Sequence, residues 1–329
     1  NTKIYTGTGS SNALTGVGFQ PDWVWIKNRG NTESHALFDA VRGVTKRIVS
    51  NSTGAEETNA NTVTAFGTDG FTVGTNAGVN GSGISTVAWN WKANGSGSSN
   101  TDGSTASTVS VNTTAGFSIV KWTGSGSATT IGHGLGVTPK IIMLKNTSEV
   151  YGWQVYHASL GNTKYLALDS TDAEATSSES WNNTSPTSTV FSVGASDSNN
   201  KSGNTIIAYC FAEKTGFSKF GSYIGNGSTW GTFVNCGFKP AWIIAKRTSD
   251  VEDWFMYDTK RDPINVADTR LKANGNPGEA TNLGVDFLSN GFKWRSNTAG
   301  YNASGSTYIY MAFAEEPVVA STGDPATAR

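Results

Sequence analysis

Gly18-Phe19-Gln20-Pro21-Asp22-Trp23-Val24-Trp25-Ile26-Lys27-Asn28 is the stretch on which the fold turns. It returns as Gly136-Val137-Thr138-Pro139-Lys140-Ile141-Ile142-Met143-Leu144-Lys145-Asn146, and again as Gly237-Phe238-Lys239-Pro240-Ala241-Trp242-Ile243-Ile244-Ala245-Lys246-Arg247. Each copy is Gly-x-x-Pro, an apolar run and, before the last residue, a lysine. Side chains alternate faces along a strand. Trp23 and Trp25, Ile141 and Met143, and Trp242 and Ile244 therefore look one way, while Val24 and Ile26, Ile142 and Leu144, and Ile243 and Ala245 look the other. Both faces are apolar, the mark of a strand buried on both sides. Its own sandwich covers one face, and a neighbouring domain is expected on the other.

Two further signatures recur in the same order. Tyr5-Thr6-Gly7-Thr8-Gly9, Trp122-Thr123-Gly124-Ser125-Gly126 and Tyr223-Ile224-Gly225-Asn226-Gly227 open each unit; Asn80-Gly81-Ser82-Gly83, Asn200-Lys201-Ser202-Gly203 and Asn302-Ala303-Ser304-Gly305 precede its last strand. The period is roughly a hundred residues, too long for a solenoid and right for a small autonomous domain. Between the signatures lie short β-branched runs such as Phe117 to Trp122, Thr189 to Val193 and Asn204 to Phe211, separated by Gly, Asn and Ser turns. That spacing reads as a β-sandwich or jelly roll. The expected architecture is all-β: three tandem repeats of a roughly hundred-residue β-sandwich or jelly-roll-like domain. They are placed at residues 1–93, 115–214 and 215–317, with a C-terminal tail at 318–329. Residues 94–114 read as a Gly/Ser-rich flexible linker, whereas no spacer separates the second and third units. The first unit is therefore expected across a looser joint.

Composition narrows the function. The 329 residues carry 24 Lys and Arg against 25 Asp and Glu, a formal charge of −1. Nucleic-acid wrappers and polybasic membrane binders need an excess of cations. Charged residues make only 15% of the chain, Gly, Ser, Thr and Asn take their place, and 11% aromatics supply material for cores. This suits a turn-rich extracellular or particle-bound structural protein. No apolar stretch is long enough to span a membrane as a helix, so membrane insertion is not expected. More chain is expected upstream of Asn1, because the first unit lacks the Gly-Phe that opens the others.

Chemistry-bearing residues are few. Cys210 stands where the other copies carry Asn90 and Ala312, and Cys236 where they carry Val17 and Leu135, which reads as buried structural thiols. His157 matches Asp39 and Asp258 and reads as a turn cap. His133 sits in a Gly-flanked turn without a counterpart, and three histidines in all leave little for zinc. Asp250, Glu252, Asp253, Asp258 and Asp262 thicken one region, but Lys260, Arg261 and Arg270 nearby suit ion pairs better than calcium. No catalytic residue, metal site or cofactor motif is assigned. Trp181 and Trp230 stand in polar, turn-rich surroundings and are the candidate contacts for a glycan or a protein partner.

The runs "DWVWIKNR", "TIGHGLGVTPKIIMLKN", "KSGNTIIAYCFAE", "FSKFGSYIGNGS" and "YIYMAFAEEP" resemble a repeated domain of virion tail and structural proteins from tailed, especially marine, bacteriophages. The resemblance implies an extracellular particle protein. Lys27, Lys145, Asn80, Asn200 and Asn302 carry over as framework positions only. The expected role is a non-enzymatic, tail-associated fibre or spike component. Its partners would be copies of itself, other virion proteins and host surface glycan. The alternatives are a capsid decoration or head-fibre protein and, less favoured, a polysaccharide-degrading tail enzyme. Threefold self-association is expected by analogy with fibres; in the competing arrangement the three units close on one another within one chain.

Overall fold

The computed structural model describes residues 1–314 and is all-β, with two single-turn helices, Ala77–Asn80 and Asp197–Asn200. The tail placed at 318–329 and the end of the unit placed at 215–317 lie outside the described residues. Three large antiparallel sheets carry the molecule. The first orders its strands Thr2–Thr6, Ser85–Trp91, Trp23–Asn28, Ala36–Asp39, Lys46–Val49 and Glu57–Thr58. The second runs Ser98–Asn100, Ser107–Asn112, Phe117–Thr123, Thr205–Phe211, Ile141–Asn146 and Gln154–His157. The third begins Ser218–Ile224, Thr307–Phe313, Trp242–Arg247, Trp254–Asp258 and Ala267–Lys272. It continues through the nine-residue strand Ala280–Leu288 into Gly291–Trp294 and Phe233–Asn235, and almost closes as a barrel.

In each sheet the strand after the Gly-x-x-Pro turn is central, flanked by Ser85–Trp91, Thr205–Phe211 or Thr307–Phe313 on one side. Its two faces feed two cores. Val24 and Ile26 pack with Phe38, Phe71 and Val73; Ile142 and Leu144 with Phe191 and Trp181; Ile243 and Ala245 with Phe292 and Trp294. The opposite faces meet in one shared core, where Trp23, Trp25, Ile141, Met143, Trp242 and Ile244 pack together. The Trp23 ring stacks on Tyr209 of the second sheet at 4.3 Å and 21°. Burying a large apolar side chain contributes about 1.5–3 kcal/mol, so this core is the main adhesive between the sheets.

Polar contacts between sheets run in a ring. The amide of Glu56 donates to Thr147 O, that of Glu174 to Thr248 O and that of Glu279 to Arg29 O, each at 2.8 Å. A loop of the first sheet thus seats on the second, one of the second on the third, and one of the third on the first. Each acceptor stands eight residues after its proline. Trp153 Nε1 donates to Val49 O at 2.9 Å and Trp254 Nε1 to Ala167 O at 2.8 Å, each reaching back across the same joints.

Two expectations need correction. Residues 94–114 are not a free linker: Ser98–Asn100 and Ser107–Asn112 are strands of the second sheet. Glycine serves close approach there, since a Cβ on Gly103 would lie 2.3 Å from Thr130 O. Nor is the first sheet loosely jointed, because it holds two of the three contacts in the ring.

Candidate functional site

The two tryptophans singled out from sequence have opposite fates. Trp181 is 1% exposed; its Nε1 donates to Lys164 O at 3.1 Å, and its ring meets Tyr156 edge-on at 5.6 Å. The expectation of a surface contact there is corrected: polar sequence neighbours surround an indole that closes the second sheet's inner core. Trp230 is 64% exposed, with the Arg295 guanidinium 4.1 Å and the Lys293 ammonium 5.3 Å from its ring. Gly231 places it, because a Cβ there would lie 2.2 Å from Trp294 O. Phe233 is also exposed and pairs across the sheet with Lys293, so both share a face beside the indole. The corresponding turns after Gly126 and Gly9 carry no tryptophan.

The framework residues are buried hydrogen-bond hubs. Asn80 Oδ1 accepts from Thr8 N at 2.9 Å, Asn200 Oδ1 from Ser125 N at 3.0 Å and Asn302 Oδ1 from Asn226 N at 2.9 Å. Each Nδ2 donates to two or more carbonyls, including Gly74, Gly194 and Ser296. The opening and closing signatures are therefore two halves of one structure, with the asparagine pinning the first hairpin to the turn before the last strand. Each buried amide finds both donors and acceptors there, which removes the cost of burying it.

Lys27, Lys145 and Lys246 are fully buried and face the joints between sheets. Lys145 Nζ donates to Thr53 O of the first sheet's loop at 2.9 Å, and Lys246 Nζ to Thr171 O of the second's at 3.1 Å. Lys27 Nζ donates to Asn28 O and Asn31 O in its own loop. Burial lowers each ammonium to about 8; carboxylates, among them Glu279 at Lys27 and Asp172 at Lys246, work against that fall.

The remaining candidates serve the framework. Burial pushes the Cys210 thiol up and takes Cys236 up to about 12. His133 Nδ1 accepts from Leu135 N at 3.1 Å, and burial lowers its pKa. Asp250 pairs with Arg247 at 3.2 Å, Asp253 with Lys272 at 2.7 Å, and Asp258 with Arg261; Asp262 accepts from the amides of Asp268 and Thr269. The acidic run is thus distributed over separate partners.

Sequence reasoning passed over one further feature. At the end of the shared core a cavity of about 620 Å³ opens, walled by Phe19, Trp91, Phe117, Phe217, Trp242 and Phe313. Trp91 and Phe217 are only partly buried and carry the aromatic wall to the surface. Edge-to-face contacts set the rings, with Trp91 5.7 Å from Trp242 and 5.9 Å from Phe313. Its walls come from all three sheets, so only the assembled ring creates it. Among the described residues no helix is long and apolar enough to cross a membrane.

No curated protein and no solved structure matches the chain. A family model described as a domain of unknown function, DUF7483, matches residues 1–317, and the chain belongs to that family.

Proposed function

We propose that the chain is a non-enzymatic structural protein of a tailed-phage virion. In this reading it is a tail-associated fibre or spike component, built from three tandem copies of one β-sandwich unit closed into a pseudo-threefold ring. The ring of contacts carries this reading: Glu56 to Thr147, Glu174 to Thr248 and Glu279 to Arg29 link equivalent positions head to tail and return to the start. Such closure gives a threefold seat whose assembly does not depend on protein concentration, unlike a trimer of separate chains. The resemblance of the recurring motifs to phage virion proteins supports the setting. Trp230, exposed beside Arg295 and Phe233, supplies a stacking surface for host glycan. Other faces would meet virion proteins and further copies of the chain.

The test has two parts. Antibody against the purified chain should label intact particles at the tail in negative-stain micrographs; label over the capsid would move the reading to a decoration protein. Immobilised host surface glycan should retain the chain without releasing new reducing ends. Release of reducing ends would replace the structural reading with an enzymatic one.

A further inference from the structure

We propose that the aromatic cavity at the end of the shared core is a binding site for an apolar monoanion, a ligand with a flat or chain-like hydrocarbon body and one carboxylate. Its volume of about 620 Å³ falls in the range of small-molecule sites, roughly 300–1,000 Å³. Its walls are aromatic and locked by their own edge-to-face packing, so the space exists before any ligand arrives. An apolar body entering it leaves water without disturbing the fold.

The charged lining supplies the other half of the argument. Lys92 and Lys214 line the cavity, and no carboxylate does so among the described residues. This positive lining among the described residues occurs in a chain whose formal net charge is −1. Lys164, Lys201, Lys219 and Lys272 each hold a carboxylate, whereas Lys92 and Lys214 make no ion pair among the described residues. Unpaired ammonium groups beside a low-dielectric wall attract an anion more strongly than the same groups on an open surface. A lysine stem can lie along apolar surface while its charge stays in water; the Lys214 stem packs over Gly116. A ligand placing its body among Trp91, Phe217 and Trp242 would bring a terminal carboxylate to these ammonium groups.

The site is independent of the Trp230 surface. Ser218 pairs with Phe313 at the cavity end of two neighbouring strands, while Ile224 pairs with Thr307 at the end nearest Trp230. Seven residues of strand separate the two, on the order of 20 Å.

Dodecanoate, kept below its micelle concentration, is the probe, titrated into the full chain by calorimetry with tryptophan fluorescence in parallel. One saturable site is expected, with dodecanol at least about tenfold weaker. The Lys92→Gln/Lys214→Gln variant should lose about tenfold for dodecanoate and nothing for dodecanol. Added sodium chloride should weaken dodecanoate alone in the unaltered chain, a readout that needs no variant. Absence of saturable binding up to about 1 mM, which corresponds to roughly −4 kcal/mol, would overturn the proposal. Equal affinity for the acid and the alcohol would overturn it as well.

Discussion

The first and third sheets solve one packing problem with a buried ion pair, and the second solves it with a neutral histidine. Asp39 ends its strand and accepts from the amides of Val41 and Arg42 at 3.1 and 2.8 Å, while gripping Arg42 Nε. Asp258 repeats this with the amides of Lys260 and Arg261 and with Arg261 Nε. Each carboxylate also receives a donor from the adjoining sheet, Tyr209 OH at 2.8 Å for Asp39 and Trp89 Nε1 at 3.1 Å for Asp258. In the second sheet His157 Nδ1 accepts from Ser159 N at 3.1 Å. That leaves the proton on Nε2, 3.4 Å from Tyr310 O. Leu160 takes the place of the arginine. The backbone duty is the same, so the neighbour decides the side chain. A neighbouring donor calls for a carboxylate, which then needs a cation; a neighbouring carbonyl calls for an N–H, which needs none. A buried ion pair and a neutral replacement can thus serve one slot.

Breaking the pair should show the largest effect. Asp258→Ala leaves the buried Arg261 guanidinium with Glu279, 3.0 Å away, as its remaining carboxylate and should cost about 3 kcal/mol in urea unfolding. His157→Ala removes no charge and should cost less; equal losses would sink the distinction drawn between the slots.

Acid should separate the slots next. Burial lowers His157 to about 4, while the unfolded chain takes up that proton near 6.5. Between those values the unfolded state binds more protons, so stability falls as pH drops from about 6.5 to about 4. His157 alone accounts for at most about 3 kcal/mol of that fall. His35 and His133 are lowered in the same direction and add to it. In His157→Gln, melting temperatures across this window should decline less than in the parent; an identical decline would remove His157 from the account.

Transplanting the neutral solution sharpens the comparison further. Asp258→His with Arg261→Leu removes both charges but leaves Trp89 Nε1 facing an N–H rather than an acceptor. The expected loss is about 1–3 kcal/mol, the cost of an unsatisfied buried donor. No loss at all would show that the neighbour does not choose the residue.

Smallest of all is the expected effect of Trp230→Ala on stability, within about 0.5 kcal/mol because the ring is exposed. The same change should abolish retention on host glycan. Retention unchanged would take Trp230 out of the proposed contact.

The central strands were legible in the sequence because two apolar faces can only mean burial on both sides, and Trp23, Trp25, Val24 and Ile26 are all buried. The asparagine signature was visible as a pattern, but its role was not, since the groups it bonds lie about seventy residues away, as with Ser10 and Asn80. Trp181 misled because flanking Asn and Ser describe the chain beside the ring, not what the ring covers. Residues 94–114 misled because Ser and Thr serve strands as readily as linkers when a neighbouring strand supplies the ladder. The cavity could not be read at all, as its walls come from stretches as far apart in sequence as Phe19 and Phe313 that meet only in the closed ring.

The salt bridge from Arg29 to Glu279 spans 250 residues, which turns the fold into a matter of timing on the ribosome. At about 5–20 residues per second, roughly 10–50 s pass between the making of one partner and the other. During that interval the nascent first sheet holds Trp23 and Trp25 toward surfaces not yet translated. Chains that stall or end early would display an aromatic face suited to aggregation, so premature termination would yield sticky debris rather than a smaller working protein.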